Sequence, residues 1–276
     1  MPELPEVQTI VNDLIAADLI GRRITAITVR WPGVIDRLPA GTFRRRLTGG
    51  RIRAVYRRAK FIVWQVDDHQ RVLIHLRMTG RFHFAAPRSR YAKHEHLSFH
   101  LDDGRQLRYH DTRKFGRFYL PEDPDAMLTR LGPEPLAPGF SARRLGQCLT
   151  SRRRMLKPLL LDQQCIAGLG NIYVDEALWD AGLHPMRTAD SLRENDIRRL
   201  HRAIRKVLRR GLRNLGTTLG SGETTFYSLA RNRGRNRDQL KVFRRTGEPC
   251  RRCRQPIKRL VVGQRSTHIC PTCQPL

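Results

Sequence analysis

The sequence predicts an α+β protein of more than one domain, on three observations. A helical stripe opens the chain. A series of short alternating strands fills residues 23 to about 120. A helical region from 141 then leads into a cysteine-rich tail. With 276 residues the chain can form two domains, or one domain and a small module, and its 39% hydrophobic content supports a folded core.

The elements follow in order. Val7, Ile10, Val11, Leu14 and Ile15 recur at helical spacing, Pro5 suits a first turn, and Gly21 is a stop signal. Ile27, Val29 and Trp31 alternate, Phe61-Ile62-Val63-Trp64 is a short buried run, and Val72 to Leu76, Leu97-Phe99-Leu101 and Leu107-Tyr109 continue the pattern. Asp67-Asp68 and Asp102-Asp103-Gly104 are turn signals between them. Strands this short and regular predict an antiparallel sandwich or barrel over 1–120. Pro121, Pro124, Pro133, Pro135 and Pro138 mark a linker over 121–140. In the helical region, 141–239, Ile197, Leu200, His201, Ile204, Val207 and Leu208 form one stripe, and its Gly-, Ser- and Arg-rich end from about 216 reads as a loop. The tail is 240–276.

The formal net charge is +28, and 46 of the 53 basic residues are Arg. Such an excess repels itself unless a polyanion lies near, which points to nucleic acid. An anionic membrane surface would ask for a basic amphipathic anchor, and the charge is instead spread along the chain. No apolar run approaches the roughly 20 residues that span a bilayer. Glu3, Glu6 and Asp13 stand where a secretory signal would be basic. The expected location is the cytoplasm, with the nucleoid.

Cys250-x2-Cys253-x16-Cys270-x2-Cys273 is the most specific local signal. Each pair can place two thiolates on one ion, and two pairs complete a tetrahedral shell that suits Zn²⁺. A filled shell leaves no position for water, so one structural zinc is expected, stapling a tail too small to hold a core alone. Cys148 and Cys165 stand apart and read as packing residues.

Other motifs admit two readings each. In Met1-Pro2-Glu3-Leu4-Pro5-Glu6, trimming of Met1 would leave Pro2 as a secondary amine beside two carboxylates, able to form an iminium as Schiff-base lysines do. The plainer reading is that Pro2 and Pro5 only start a helix. Gly168-Leu169-Gly170-Asn171 is a helix junction or a backbone approach to phosphate. Met78 and Phe115, each in a turn beside cations, are core residues or wedges that fill a gap in a base stack. Lys60 is a phosphate clamp or, on local grounds the favoured reading, a solvated charge at a strand start.

Taken together these pieces resemble the bacterial formamidopyrimidine-DNA glycosylases. The resemblance runs in order through Pro2-Glu3-Leu4-Pro5-Glu6-Val7, Arg58-Ala59-Lys60-Phe61, His75-Leu76-Arg77-Met78-Thr79-Gly80, Lys93-His94-Glu95-His96, Asp111-Thr112-Arg113-Lys114-Phe115-Gly116, Gly168-Leu169-Gly170-Asn171-Ile172-Tyr173 and the four cysteines. It implies an N-terminal antiparallel β-sandwich with flanking helices, a helix–two-turns–helix DNA-binding domain, a β-hairpin zinc finger, and a monomer acting on damaged duplex DNA. It also implies a catalytic set of Pro2, Glu3 and Lys60, in which Pro2 attacks C1′ and Glu3 transfers the proton, with Glu6 supporting the sugar. Lys60, His75, Asn171 and Arg265 match positions that hold phosphates. Met78, Arg113 and Phe115 match the trio that fills the hole left by the everted nucleotide. The implied activity is excision of oxidised purines with β,δ-elimination of the strand in base-excision repair.

One region departs from the better-known members. After Gly216-Thr217-Thr218-Leu219, where those have an Arg-Asp pair and a shorter loop over the everted base, this chain has Gly220-Ser221-Gly222-Glu223-Thr224-Thr225-Phe226 and then Arg231-Asn232-Arg233-Gly234-Arg235. The departure bears on lesion preference. Rival readings are an endonuclease VIII-like enzyme for oxidised pyrimidines, a non-catalytic DNA-binding homologue, and a zinc-stabilised RNA-binding protein.

Overall fold

The computed structural model describes residues 1–220, 226–229 and 232–276; residues 221–225 and 230–231 of the divergent loop lie outside it. The chain forms two compact units, Met1–Leu128 with Asn214–Arg235, and Thr129–Arg213 with Asn236–Leu276.

The first unit is a sandwich of two four-stranded antiparallel sheets. One has the order β1-β6-β7-β5 and the other β2-β3-β4-β8. The strands are β1 (Ile24–Val29), β2 (Ile52–Arg58), β3 (Phe61–Val66), β4 (Gln70–His75), β5 (Arg81–Ala85), β6 (Glu95–Leu101), β7 (Gln106–His110) and β8 (Arg117–Tyr119). Aromatic rings join the inner faces: Trp64 of β3 meets Phe99 of β6 at 4.9 Å between centroids, and Phe118 of β8 meets Tyr109 of β7 at 4.9 Å. Helix α1 (Leu4–Ala16) lays Val7, Ile10, Val11 and Leu14 on this core, each buried aliphatic contributing about 1.5–3 kcal/mol. Ile15, expected on the same stripe, is 42% exposed, because it lies past the edge of the buried arc. Helix α2 (Ala40–Leu47) buries Phe43 and Leu47. The Pro-rich stretch read as a linker holds one short helix, α3 (Pro124–Leu128).

The helices of the second unit are α4 (Ala142–Thr150), α5 (Leu156–Leu161), α6 (Asn171–Ala181) and α7 (Glu194–Arg213), and its hairpin pairs β9 (Lys258–Val262) with β10 (Arg265–Ile269). Ser141 caps α4 by accepting from Arg144 N at 3.2 Å, and Gly182, left-handed at φ 68°, closes α6. The stripe on α7 is buried as its spacing predicts, at Ile197, Leu200, Ile204, Val207 and Leu208. His201, beside them, bonds the Phe140 carbonyl through Nε2 at 2.8 Å.

Two internal charges anchor the tail of this unit. Lys157, fully buried, donates to Asp175 Oδ1 (2.6 Å), Thr267 Oγ1 (2.8 Å) and the Ser266 carbonyl (3.0 Å), so an otherwise costly ammonium has three acceptors. Glu176 accepts from the backbone N–H groups of Lys241, Val242 and Phe243 and from Arg210. Cys148 and Cys165, expected as separate packing residues, are instead joined as a disulfide with their Cα atoms 5.7 Å apart. Spacing alone cannot reveal that α4 and the segment after α5 approach so closely.

Candidate active site and metal centre

Pro2 lies just outside α1, whose N-cap is Glu3 and whose first residue is Leu4; Pro5, not Pro2, lies in its first turn. Glu3 and Glu6 form a reciprocal capping box: the Glu3 carboxylate accepts from the Glu6 backbone N–H, and Glu6 Oε2 accepts from Glu3 N at 2.9 Å. Glu6 Oε1 also accepts from Thr217 N at 2.7 Å. Both Glu6 oxygens therefore fix backbone, and the first turn is rigid where the amine would act. Pro2, Glu3 and Glu6 are all buried.

Lys60 sits in the β2–β3 turn and is 6% exposed, which overturns the local reading of a solvated charge. His75 ends β4 on the same sheet, its ring edge-on to Phe61. Arg77 N donates to His75 Nδ1 at 3.0 Å, so the neutral ring carries its proton on Nε2 and can donate there. Burial, and after it the charges of Arg77 and Lys60, push the imidazole down to about 3.

Met78 and Phe115, the candidate wedges, are 41% and 47% exposed, so the core reading fails for both. Arg113 joins them: Nη1 donates to Met78 Sδ at 2.9 Å, and the guanidinium lies 4.7 Å from the Phe115 ring centroid. The two turns that carry this trio are held by Asp111, which the sequence did not single out beyond its motif. Its carboxylate accepts from Thr79 Oγ1, from Arg113 N (3.2 Å) and from Gly116 N (2.7 Å). His96 Nε2 bonds the Asp111 carbonyl at 2.8 Å, so the Lys93-His94-Glu95-His96 motif supports the same turn. Gly80 and Gly116 are required here, because a Cβ would meet Tyr109 Oη at 2.2 and 1.6 Å.

In the second unit, Asn171 is the first residue of α6, following Gly168 at φ +87° and the N-cap Gly170. Its Nδ2 donates to the Ser266 carbonyl at 2.8 Å, next to Arg265, which is exposed at the start of β10. The two candidate phosphate holders thus adjoin each other across the helix–hairpin contact. A helix N-terminus there adds dipole and N–H groups favourable to an anion.

The sulfurs of Cys250, Cys253, Cys270 and Cys273 all lie within 4.8 Å of one another. Two of their separations are 3.3 and 3.9 Å, bracketing the roughly 3.8 Å edge of a tetrahedron with Zn–S of ~2.3 Å. Arg252 N and Cys273 N point at Cys250 and Cys270 sulfurs, which favours thiolates. The donor set fits one structural zinc. Among the described residues no helix is long and apolar enough to cross a membrane.

Comparison with known proteins agrees with this arrangement. Residues 1–118 match the formamidopyrimidine-DNA glycosylase N-terminal domain, 131–222 the formamidopyrimidine-DNA glycosylase H2TH domain, and 247–276 a zinc finger found in FPG and IleRS. The chain is 45% identical to the formamidopyrimidine-DNA glycosylase of Protochlamydia amoebophila over 99% of both chains, and 44% identical to that of Herpetosiphon aurantiacus over 99% of this chain and 100% of the other. Among solved structures it resembles a Lactococcus lactis FPG variant in complex with Fapy-dG containing DNA, with TM-score 0.92 and 33% identity over 100% of both chains. It also resembles the FPG protein of Thermus thermophilus, with TM-score 0.88 and 38% identity over 99% of this chain and 98% of the other. Matches that run through the N-terminal domain, the H2TH domain and the four-cysteine finger, with relatives 44–45% identical over almost the whole chain, make it a member of the formamidopyrimidine-DNA glycosylase family.

Proposed function

We propose that this chain excises oxidised purines from duplex DNA and then cuts the strand, as a bifunctional glycosylase and abasic-site lyase. The observation that carries the reading is the terminus: Pro2 stands at the head of a helix whose first turn is fixed by two interlocked carboxylates. With Met1 removed, the neutral Pro2 amine, a group that titrates near ~8, attacks C1′ of the damaged nucleotide. The C1′–N bond breaks and the base leaves with its electron pair and a proton. The sugar ring opens with a proton delivered to O4′, the role assigned to Glu3. The resulting iminium acidifies C2′–H, so β- and then δ-elimination expel the 3′ and 5′ phosphates. Zinc holds the finger and takes part in none of these steps.

In this reading Lys60 and His75 of the first unit, and Asn171 and Arg265 of the second, hold backbone phosphates. Met78, Arg113 and Phe115 occupy the vacated stack and face the orphaned base, and the loop over about 216–239 covers the everted one. Glu6 supports the sugar through the turn it fixes. The protein works as a monomer in the cytoplasm, on nucleoid DNA. Its division into a catalytic domain (1–120), a linker (121–140), a DNA-binding domain with the lesion-capping loop (141–239) and a finger (240–276) belongs to the same proposal. The test is to compare protein lacking Met1 with protein in which Met1 is retained, on a duplex bearing 8-oxoguanine. Base release and strand cutting are both expected only with Pro2 free; full activity with Met1 in place would refute the mechanism.

A further inference from the structure

Cys148 and Cys165 take no part in the chemistry above, and neither belongs to the zinc centre. Their disulfide joins the last turn of α4 to the segment between α5 and α6, across a sequence separation of 17. That segment has little regular structure and is held by a small set of bonds. Cys165 N and Ile166 N donate to the Asp162 carbonyl at 3.0 and 3.1 Å, and Gly132 N donates to the Gln163 carbonyl at 2.8 Å. The Gln163 side chain clamps the exit: its Oε1 accepts from Gly168 N at 2.8 Å, and its Nε2 donates to the Leu169 carbonyl at 2.9 Å. Gly170 and Asn171 follow at once, as N-cap and first residue of α6. The sulfur link therefore lies six residues before a proposed phosphate holder.

The two sulfurs differ in access. Cys165 is 1% exposed, whereas Cys148 is half-buried, so an attacking thiolate reaches Cys148 first. In a compartment that keeps thiols reduced, a disulfide usually serves sensing or catalysis.

We propose that Cys148 and Cys165 form a reversible redox site, opened by a dithiol and closed by a hydroperoxide, whose closure fixes the approach to Asn171 and strengthens DNA binding. This rests on the readings of Asn171 as a phosphate holder and of the protein as cytoplasmic. In opening, a thiolate of the dithiol attacks the Cys148 sulfur, the S–S bond breaks, and Cys165 leaves as a thiolate that takes up a proton. The second thiol of the reductant then displaces Cys148 in the same way. The reductant ends as a disulfide and the protein as two thiols, a transfer of two electrons. In closing, the Cys148 thiolate attacks the peroxide O–O bond, giving a sulfenic acid and an alcohol, or water from hydrogen peroxide. The Cys165 thiol then displaces the sulfenic oxygen as water and restores the disulfide. Hydroperoxides accompany oxidative damage to purines, so the site would close as the proposed substrates accumulate.

The test uses the zinc-loaded full-length protein as oxidised, reduced with dithiothreitol, and reoxidised with hydrogen peroxide, with zinc content and thiol number verified in each form. Trypsin cleavage after the exposed Arg153 or Arg154, inside the disulfide-closed loop, reports loosening whether or not the DNA reading is right. On reduction it is expected to rise at least about tenfold, as release of such a loop implies. Affinity for a duplex carrying a stable abasic analogue should fall about threefold to tenfold, the worth of about one hydrogen bond, and peroxide should restore both readouts. Cys148→Ser keeps the four zinc ligands and should match the reduced wild type, without response to dithiothreitol. In Asn171→Ala, affinity should be lower and independent of redox state. A pair that dithiothreitol cannot open in the folded protein, one that peroxide cannot close again, or reduction that leaves cleavage unchanged would each overturn the redox site. Cleavage that responds while affinity does not would overturn the link to binding. Asn171→Ala binding like the wild type would instead refute the phosphate reading on which that link rests.

Discussion

At the scale of single residues, burial sets the protonation of one proposed phosphate holder, His75. His75 is held down to about 3 from an ordinary 6.5. As pH falls below about 6.5 the unfolded chain takes up a proton there and the folded chain does not, so stability present above that pH is lost progressively down toward about 3, at no more than ~1.4 kcal/mol per pH unit. The ring resonances of His75 should stay unmoved between pH 8 and 5 in an NMR titration, and His75→Gln should flatten the pH dependence of urea unfolding over that range. Glu3 is expected to matter more for base release than for cutting an abasic site, because the hemiacetal of an abasic sugar opens to its aldehyde in water, whereas the intact nucleoside needs a proton delivered to its ring oxygen by the protein. Glu3→Gln should slow release by about 10²–10⁴-fold, the usual range for general acid–base catalysis, with a smaller effect on abasic-site cutting in the same single-turnover assay. The zinc ligands were legible in the sequence because their chemistry lies in residue type and local spacing, and the roles proposed for Pro2 and Glu3 rest on the same kind of local reading. The burial of Lys60 was not, since neighbouring arginines make the same stretch look solvated.

Among the elements, the turns that carry Met78 and Phe115 are where local patterning and tertiary structure diverge. Met78 and Phe115 are apolar, and composition alone assigns them to a core. They stand exposed because Asp111 gathers the backbone and hydroxyl donors of both turns, a hub formed by residues more than thirty positions apart. Gly116 is part of that hub, and Gly116→Ala would drive a Cβ to 1.6 Å from Tyr109 Oη. The expected cost is about 1–3 kcal/mol in urea unfolding, together with weaker DNA binding as the turn shifts. Helix α7 is the opposite case: its stripe has 3.6-residue periodicity, and its buried face follows. Ile15 marks the limit of such reasoning, because the width of a buried arc depends on what packs against it. The hydrogen bond from Leu229 N to Asp13 on α1 was invisible for the same reason, the two residues being remote in sequence.

Over the whole molecule, the sandwich, the helical region and the finger were each readable from period and punctuation, while the features joining segments were not. Lys157 and Glu176 bind the tail to α6 through buried charge, and Cys148 and Cys165 join through space; no periodicity announces any of these. The four-cysteine centre should govern the tail it closes. Removal of zinc by a chelator, confirmed by metal analysis, is expected to unfold residues 240–276 and weaken DNA binding; unchanged affinity would place the interface elsewhere. With a net charge of +28, affinity should also fall steeply as salt rises, each neutralised phosphate contributing a slope near −0.9 in log K against log salt.

The central claim, attack by the Pro2 amine on a nucleotide carrying an oxidised purine, is tested most directly by borohydride trapping. A duplex bearing 8-oxoguanine opposite cytosine would be run beside one bearing an oxidised pyrimidine, and the adduct mapped by peptide mass. The account predicts a covalent adduct at Pro2 on the first duplex. An adduct on the second alone would keep the amine chemistry and move the substrate to oxidised pyrimidines. No adduct on either, with Pro2 verified free and DNA bound, would contradict the mechanism.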